Sequence, residues 1–362
     1  MNLITKEIKP CYVTIFRPFQ YSMMRNLFEE VIPDYFNRVF NDIEEIKYEI
    51  SDEVPSFVKR EMTFVNMHHF YMKRSNDEFK FKVMIPKLID GAFFIISGNY
   101  YIPAIYIVNA PITVRENSIS LYSLFCPLTI YFKDRRTIIF GNNVYIEDFL
   151  TALYGDDIPS GFYDIYNFEK KTDYESSVNR ISKIIQSRDI ENRLNELIFD
   201  KYTEKIYMKF YGVSDIKSVL EIAIEKFKSE EEFIDMKTKR LVFIEVILYP
   251  LIRAISSMIG KHISDKGRVV RIRDDMIIKN FNVMLRNYHY DSVNGYTSTL
   301  LYKATFKYPY GSKQLPSSIT GIHPSYKHRI CPVSLSNDDL GATVYLTPGQ
   351  KIDLETGMLE EN

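Results

Sequence analysis

GAFFIISGNYYIPAIYIV, residues 91–108, is the stretch that decides the fold class. Two runs of β-branched, aromatic and other apolar residues, 92–97 and 100–108, are separated there by Gly98 and Asn99. A Gly-Asn pair between two such runs is typical of a tight hairpin turn, because both residues tolerate positive φ angles. The stretch therefore predicts a β-hairpin and, with it, an antiparallel sheet.

Strand-like sequence continues on both sides of this hairpin. EFKFKVMIPKL precedes it, and TIIFGNNVYIEDFL, which follows, predicts a second hairpin around Asn142 and Asn143. Between about residues 172 and 260, apolar residues recur every three or four positions, which is typical of amphipathic helices. Strands followed by helices, without a strand–helix alternation, predict an α+β fold.

Two helix starts in this region carry the spacing of a capping box. Thr172 is followed three residues later by Glu175, and Ser218 by Glu221. In this motif the hydroxyl and the acidic side chain satisfy each other's backbone N–H groups. We therefore expect helices to begin at these two positions.

The composition is that of an ordinary globular protein. Of the 362 residues, 46% are hydrophobic and 26% are charged, and the net charge is −1. The average field therefore does not attract nucleic acid or anionic membranes, so any such contact must come from a local patch. Three widely spaced cysteines, Cys11, Cys126 and Cys331, favour a reducing compartment over a disulfide framework.

The most apolar run, residues 241–259, is a candidate for a membrane span that its charges argue against. It contains Glu245, Pro250 and Arg253, and a span would leave both charges in hydrocarbon. A buried pair of helices is the better interpretation. Because the sequence from Met1 also lacks the apolar core of a secretory signal, we expect a cytoplasmic protein.

The region near the end of the chain lacks acidic residues. No Asp or Glu occurs from residue 292 to residue 337, and aromatic residues alternate there with cationic ones. The candidate nucleic-acid-binding residues are Lys303, Lys307, Lys313, Lys327 and Arg329. Lysine and arginine neutralise phosphates, and the lack of carboxylates keeps the local potential positive. The alternative is a loop whose lack of acids is accidental.

The chain shows no convincing catalytic or metal motif of its own. His323, His328 and Cys331 supply only three zinc ligands, and Asp338 with Asp339 is an isolated carboxylate pair. Phosphate-binding glycine loops and the G-x-S-x-G nucleophile motif are also missing from the sequence. We therefore predict no catalytic residue and no metal ligand in this chain.

Two motifs, in order, carry a resemblance to a known family. HPSYKHRICPVSLSNDDLG, residues 323–341, resembles the fork region of the β subunit of multisubunit DNA-directed RNA polymerases, H-P-x-x-x-G-R-(I/V)-C-P-(I/V)-E-T-P-E-G-x-N-I-G. The matching residues are His323, Pro324, Arg329, Ile330, Cys331, Pro332, Val333 and Gly341. IPKLIDGAFFIISGNYYIPAIYI resembles the family's protrusion motif, I-P followed by G-x-F-(I/V)-I-N-G-x-E. Its matching residues are Ile85, Pro86, Gly91, Phe93, Ile95, Ile96 and Gly98.

The fork-like motif departs from the family pattern in two places. Residues 334–338 replace E-T-P-E-G, so the family's acidic residue has no certain counterpart, and His328 stands where the family has glycine. The sequence also ends at Asn362, where a full β subunit continues. The chain thus resembles the N-terminal part of a split β subunit, as in the polymerases of giant tailed bacteriophages.

The resemblance implies a domain plan. Residues 1–113 and 261–300 would form the protrusion, 114–260 the lobe, and 301–362 the start of the fork region. The lobe and protrusion would form one wall of the DNA cleft and position the template and the RNA–DNA hybrid.

The resemblance also implies partners and a cofactor. The assembled enzyme would use Mg²⁺ bound by a β′-like subunit, and this chain alone would be inactive. Further partners would be a C-terminal β-like fragment, the DNA template, the RNA transcript and, as an open question, a promoter-specificity subunit. The protein would act in the cytoplasm of an infected bacterium or be packaged in the virion. Two alternatives remain, a phage structural or interaction protein and a stand-alone nucleic-acid-binding module.

Overall fold

A computed structural model gives the architecture of most of the chain. It describes residues 22–40, 43–51, 65–74, 77–87, 94–103, 105–165, 173–228, 235–242, 244–265, 272–273, 275–281, 285–287, 303–306, 323–331, 343–347 and 350–360. Helices and antiparallel sheets occupy largely separate stretches of these residues, so the predicted α+β class is confirmed.

Fifteen strands are defined among the described residues. They are β1 Ile43–Ser51, β2 Val65–Arg74, β3 Asp77–Pro86, β4 Phe94–Ile96, β5 Asn99–Pro103, β6 Ile105–Asn109, β7 Ile112–Arg115, β8 Ser118–Leu121, β9 Leu128–Tyr131, β10 Arg136–Ile139, β11 Asn142–Tyr145, β12 Lys239–Val242, β13 Leu285–Asn287, β14 Lys303–Phe306 and β15 Thr343–Tyr345.

The helices are concentrated in the middle of the chain. They are α1 Ile32–Val39, α2 Ile146–Tyr154, α3 Ser160–Ile165, α4 Tyr174–Ile185, α5 Ile190–Ile198, α6 Lys201–Tyr211, α7 Ile216–Lys228, α8 Ile244–Asp265 and α9 Met276–Phe281. A π-helical turn, Asn26–Val31, leads directly into α1, and two short 3₁₀ helices are Met236–Thr238 and Pro324–Tyr326.

Both predicted hairpins form, with turns that differ from the predicted ones. β4 and β5 pair through Ile96 and Asn99, so Ser97 and Gly98, with φ angles of 51° and 78°, make the turn. The second strand of this hairpin ends at Pro103 rather than at residue 108, and β6 joins another sheet. Two consecutive positive φ angles match the twist of the flanking strands, which explains why the turn forms there.

In the second hairpin, β10–β11, the turn lies two residues before the predicted position. Phe140 and Gly141 have φ angles of 49° and 75°, whereas Asn142 and Asn143 already lie in β11. Glycine adopts the left-handed conformation without steric cost, so the turn forms at Gly141 although the two asparagines are good turn residues elsewhere.

Two of the sheets are simple meanders of neighbouring strands. One has the order β1-β2-β3, and the other has the order β11-β10-β9-β8-β7. The helices that follow the second meander pack on it and on one another, with α7 against β7 and α2 against α4. We name residues 112–228 the inserted segment, and its described residues, 112–165 and 173–228, form one layer of sheet and helices.

A third sheet gathers strands from distant parts of the chain. Its order is β12-β6-β14-β15, in which β14 pairs with β6 in parallel and the other pairs are antiparallel. We name it the mixed sheet. β12 follows the inserted segment and returns to β6, which precedes it, so residues 112–228 interrupt this sheet in sequence only. The predicted domain limits at 113 and 260 fall inside β7 and α8, and the domain assignment itself stays a prediction.

Aspartates cap the helices of the inserted segment. Asp173 accepts a hydrogen bond from the N–H of Ser176 at the start of α4, and Asp215 accepts one from the N–H of Ser218 in α7. The capping boxes predicted at Thr172 and at Ser218 are therefore wrong. Asp173 caps α4 and Asp215 caps α7 instead. Each carboxylate accepts from a backbone N–H of the first turn that has no partner within the helix.

Most of the apolar run that resembled a membrane span, residues 244–259, lies in one helix instead of the predicted pair, and its first two residues belong to β12. α8 has 22 residues and contains Pro250. Its buried face is formed by Leu248, Leu251, Ile255 and Ile259, which recur at helical spacing. This packing keeps the helix continuous through the proline. Among the described residues, every helix is too short or too polar to span a membrane.

Hydrogen bonds join α1 to the inserted segment. The hydroxyl of Tyr35 donates to the carbonyl of Leu197, with an O···O distance of 2.7 Å. The buried guanidinium of Arg193 donates to the carbonyls of Arg38 and Val39 at 3.0 and 2.8 Å. Because these carbonyls end α1, Arg193 satisfies groups that the helix leaves without partners.

Residues 350–360 cover the edge of β12. The N–H of Leu241 donates to the carbonyl of Gly357 at 2.8 Å, and Arg240 forms an antiparallel bridge with Met358. An ion pair between Lys209 and Asp353, with an N···O distance of 2.8 Å, attaches the same segment to α6. The mixed sheet is thus closed on this side by the last described residues.

Candidate nucleic-acid interface

Residues 323–331, here named the basic turn, have a tightly bonded backbone. The imidazole Nδ1 of His323 accepts a hydrogen bond from the N–H of Ser325 at 3.2 Å and starts the short 3₁₀ helix. The carbonyl of Tyr326 then accepts bonds from the N–H groups of Arg329 and Ile330, each at 3.0 Å. The turn is therefore a defined structure rather than an open loop.

His328 has a backbone conformation that favours glycine. Its φ angle is +65°, in the left-handed region. A side chain in this region brings Cβ close to the neighbouring carbonyl oxygen, at a cost of about 1–2 kcal/mol. Histidine is one of the few residues with a side chain that occurs there with some frequency.

The basic turn is fixed to the mixed sheet and to the 3₁₀ helix before β12. The N–H of Cys331 donates to the carbonyl of Tyr345 at 2.8 Å, and the N–H of Thr347 donates to the carbonyl of Arg329 at 3.0 Å. On the other side, the hydroxyl of Ser325 accepts from the N–H of Met236 at 2.8 Å. The turn thus joins two parts of the chain that are far apart in sequence.

A cleft of about 430 Å³ lies between the basic turn and the 3₁₀ helix Met236–Thr238. We name it the turn cleft. Its lining residues are Asp235, Lys237, His323, Pro324, Ser325, Lys327, His328 and Arg329. Three of them carry a permanent positive charge and one is an aspartate, so the cleft has a net positive lining at neutral pH.

The five predicted nucleic-acid-binding residues have different surroundings. Lys327 is exposed on the wall of the turn cleft. Arg329 also borders the cleft but is only 6% exposed, and its Nη1 donates inward to the carbonyl of Ser325 at 3.0 Å. Lys303 begins β14, opposite Tyr345 of β15. Lys307 and Lys313 lie outside the described residues, as do residues 334–338, which replace the family's acidic stretch.

Sequence reasoning missed Lys237, which is exposed and borders the same cleft as Lys327. The two residues are brought together by the contact between the two 3₁₀ helices. The sequence does indicate a basic site here, because three of the four residues 237–240 are cationic: Lys237, Lys239 and Arg240. Its pairing with the basic turn depends on tertiary structure and cannot be read from local spacing.

His323, His328 and Cys331 do not come together as a ligand set in the turn. The Nδ1 of His323 faces the hydroxyl of Ser325 at 2.7 Å, and the left-handed backbone at His328 sends the chain in a new direction. Within the part of the chain that the structure describes, no three His, Cys, Asp or Glu side chains are grouped as metal ligands. The expectation that this chain holds no metal stays a prediction.

A buried cluster of polar groups holds β12, the strand that directly follows the 3₁₀ helix Met236–Thr238. Arg240 of β12 is 1% exposed, and its Nη1 donates to the hydroxyl of Tyr202 at 3.0 Å and to Oε1 of Glu245 at 3.1 Å. The hydroxyl of Tyr122 donates to the same oxygen at 3.2 Å. The guanidinium also lies over the Tyr122 ring, 4.5 Å from its centroid. We name these four residues the Arg240 cluster.

The electrostatics of the Arg240 cluster keep the arginine charged and the tyrosines neutral. Burial alone would lower the pKa of Arg240, but the negative charge of Glu245 raises it. Burial, followed by the charge of Glu245, raises the pKa of both Tyr122 and Tyr202 well above the ordinary value. The cluster is therefore a neutralised ion pair with two hydroxyl donors, and it joins β12 to α6 and α8.

Comparison with known proteins does not assign the chain to a family. No protein-family model matches it, and no curated protein is similar to it. The function must therefore be inferred from the two motifs and from the geometry of the basic turn and its cleft.

Proposed function

We propose that this chain is the N-terminal β-like subunit of a multisubunit DNA-directed RNA polymerase. It forms one wall of the DNA cleft and positions the template and the RNA–DNA hybrid. The basic turn is the start of the fork region in this proposal, and the β4–β5 hairpin belongs to the protrusion.

One observation carries the proposal. The two resembling motifs each contain a glycine that would end a strand or close a turn, and this chain adopts left-handed φ angles at both positions. They are +78° at Gly98 and +65° at His328, although the second residue is not glycine. Residue 328 thus has the backbone conformation that glycine favours although it is histidine, which supports its match to the glycine position of the resembling motif.

The placement of the two motifs gives further support. The first motif ends in β6, and β6 lies between β12 and β14 in the mixed sheet. The basic turn attaches to the same sheet through the bridge between Ile330 and Leu346. Two motifs far apart in sequence thus contribute to one structural unit, as parts of one wall of a cleft must.

The proposed division of labour follows from the side chains. Template-directed nucleotidyl transfer uses Mg²⁺ to stabilise the attacking and leaving oxygens, and a β′-like partner would supply its ligands. This chain contributes cations at the turn cleft, which hold phosphates, and a rigid support for the fork region. Lys303, Lys307, Lys313, Lys327 and Arg329 remain the proposed nucleic-acid-binding residues, with the last one acting from a buried position.

The proposal is tested by purifying the tagged chain from its native source and identifying the polypeptides that accompany it. We expect a β′-like subunit and a C-terminal β-like fragment, and RNA synthesis that depends on Mg²⁺, template and the whole complex. A mock purification of the untagged chain is the control.

Three results would contradict the proposal. RNA synthesis by the purified chain alone would place catalytic residues in it. Recovery without any β′-like polypeptide, under conditions that preserve other complexes, would instead indicate a structural or interaction protein. Tight binding of DNA by the chain alone, steeply weakened by salt, together with the absence of partners would indicate a stand-alone binding module.

A further inference from the structure

We propose that the turn cleft binds a phosphodiester of the nucleic-acid backbone between Lys237 and Lys327, with Arg329 as a positioning residue beneath it. This inference deepens the proposed function and rests on it, because it names the ligand of the same surface. It adds Lys237, which the sequence did not indicate, and it changes the expected role of Arg329.

The two lysines approach the cleft from two different elements. Lys237 lies in the 3₁₀ helix Met236–Thr238, and Lys327 directly follows the 3₁₀ helix Pro324–Tyr326. Both residues are exposed and line the cleft. The two helices contact each other, and the bond from the N–H of Met236 to the hydroxyl of Ser325 holds their relative position. The backbone positions of the two lysines are therefore set before any ligand arrives.

Among the described residues of the lining, Asp235 is the acidic one, and it is engaged by its own segment. Its carboxylate accepts a hydrogen bond from the N–H of Lys237 at 2.9 Å and caps the 3₁₀ helix. The same carboxylate oxygen lies 3.8 Å from the Nδ1 of His323. Two lysines and one arginine against one aspartate still give the described lining a net positive charge.

Arg329 borders the cleft with a largely buried side chain that bonds within the basic turn. The side chain is 6% exposed, and Nη1 donates to the carbonyl of Ser325, within the basic turn. This bond links the last residues of the turn to its first helix, so Arg329 fixes the peptide that carries Lys327. It is a positioning residue rather than a direct contact.

The two lysines fit a phosphodiester, and the proposed function selects it as the ligand. An ammonium group on a flexible stem binds phosphate as a point charge, and two such groups can each meet one of the two equivalent oxygens of a phosphodiester. Carboxylates could meet the same charges, so competition by an acidic peptide is part of the test. The long stretch without Asp or Glu, residues 292–337, also keeps competing carboxylates of its own away from the cleft.

The test measures binding of a short fluorescent single-stranded oligonucleotide to the full chain at several salt concentrations. We expect Lys237→Gln and Lys327→Gln each to weaken binding roughly three- to tenfold, and to lower the slope of log affinity against log salt by about 1. Lys183→Gln, which removes an exposed lysine of α4 away from the cleft, is the matched control and should leave both quantities unchanged.

Arg329→Gln separates a positioning role from a direct contact, because it removes the charge as the cleft lysine variants do. It should weaken binding while leaving the salt slope unchanged, because no phosphate contact is lost. Equal thermal unfolding curves for all variants and the parent chain show that they are folded. If Arg329→Gln lowers the slope as the cleft lysine variants do, the positioning role is refuted.

The remaining outcomes separate this inference from the proposed function. Unchanged affinity and slope in both cleft lysine variants overturn the phosphate site, whatever polypeptides accompany the chain from its native source. Equal competition by a polyglutamate peptide and by the unlabelled oligonucleotide also overturns it, because it indicates a site for acidic protein segments. A slope effect confined to the cleft variants supports the site even if the purified complex lacks a β′-like subunit.

Discussion

The inserted segment and the mixed sheet differ in the sequence range over which their strands pair. In the inserted segment the strands β7 to β11 pair in chain order. In the mixed sheet, β6 pairs with β12 and β14, which follow it more than a hundred residues later. Helix packing in the inserted segment also reaches far along the chain, since α7 packs on β7. The turn cleft depends on such contacts entirely, because it forms where the 3₁₀ helix Met236–Thr238 meets the basic turn.

The largest expected effect comes from breaking the Arg240 cluster, which joins the two regions. Arg240→Met leaves Glu245 buried without its positive partner, and removal of one member of a buried pair costs about 3–5 kcal/mol. Urea unfolding followed by circular dichroism measures this loss. Adding Glu245→Gln to the variant should recover part of it, since the unpaired charge is then removed.

The control for this prediction is an ion pair on the surface. Arg25→Met removes the exposed pair with Glu29, whose N···O distance is 2.8 Å, and should change stability by less than about 1 kcal/mol. Equal, small changes for Arg240→Met and Arg25→Met would show that the buried cluster does not fasten the mixed sheet to the inserted segment.

A pH-dependent effect is expected inside the inserted segment. Asp200 caps α6 by accepting from the N–H groups of Tyr202 and Thr203, each at 3.0 Å, but it is fully buried. Burial raises the pKa of its carboxyl group from 3.8 to about 6, although these hydrogen bonds lower it. The folded state thus holds this proton more tightly than the unfolded state. Stability from this group is greatest below about pH 4 and is lost as the pH rises through about 6.

The measurement compares the parent chain with Asp200→Asn, which retains a capping oxygen without the charge. A shift of this size corresponds to about 3 kcal/mol, so the parent should lose that amount relative to the variant between about pH 4 and pH 7. Asp173→Asn, at the exposed cap of α4, shows what the same replacement does without burial. A constant difference between the parent and Asp200→Asn across this range would refute the prediction.

The smallest expected effect concerns the basic turn on the mixed sheet. His328→Gly removes the Cβ that is unfavourable at a φ angle of +65°, and we expect a net gain of about 0.5 kcal/mol after the greater flexibility of unfolded glycine is included. Lys327→Gly is the matched control, because the φ angle of Lys327 is −54°. That variant should lose about 0.5–1 kcal/mol. Thermal unfolding measures both, and a loss in both variants would argue against a glycine-type turn.

The sequence predicted what depends on local pattern. The α+β class, the hairpin at residue 98 and the helices between residues 172 and 260 follow from periodicity and from turn residues. The wrong predictions concern neighbouring residues that can serve the same role. Asp173 rather than Thr172 caps α4, and Gly141 rather than Asn142 lies in the hairpin turn. Lys327 and Arg329 were identified by the absence of acids around them.

The rest of the site could not be read from the sequence because it depends on distant contacts. Lys237 and Lys327 are brought together by the packing of two short helices, and neither helix has a periodic pattern of its own. The inward orientation of Arg329 follows from the carbonyl of Ser325, which is placed by the fold of the turn. Composition indicates a basic surface, but only the tertiary structure shows which lysine and arginine residues line the turn cleft.

The cover that residues 350–360 form over β12 has a consequence for how this protein can be shortened. A fragment that ends before residue 350 exposes the backbone N–H of Leu241 and the rest of that strand's outer edge. Unprotected strand edges pair with those of other molecules and drive aggregation. Expression fragments designed around the mixed sheet should therefore retain the chain through residue 360, and shorter versions should form soluble aggregates or inclusion bodies rather than folded monomers.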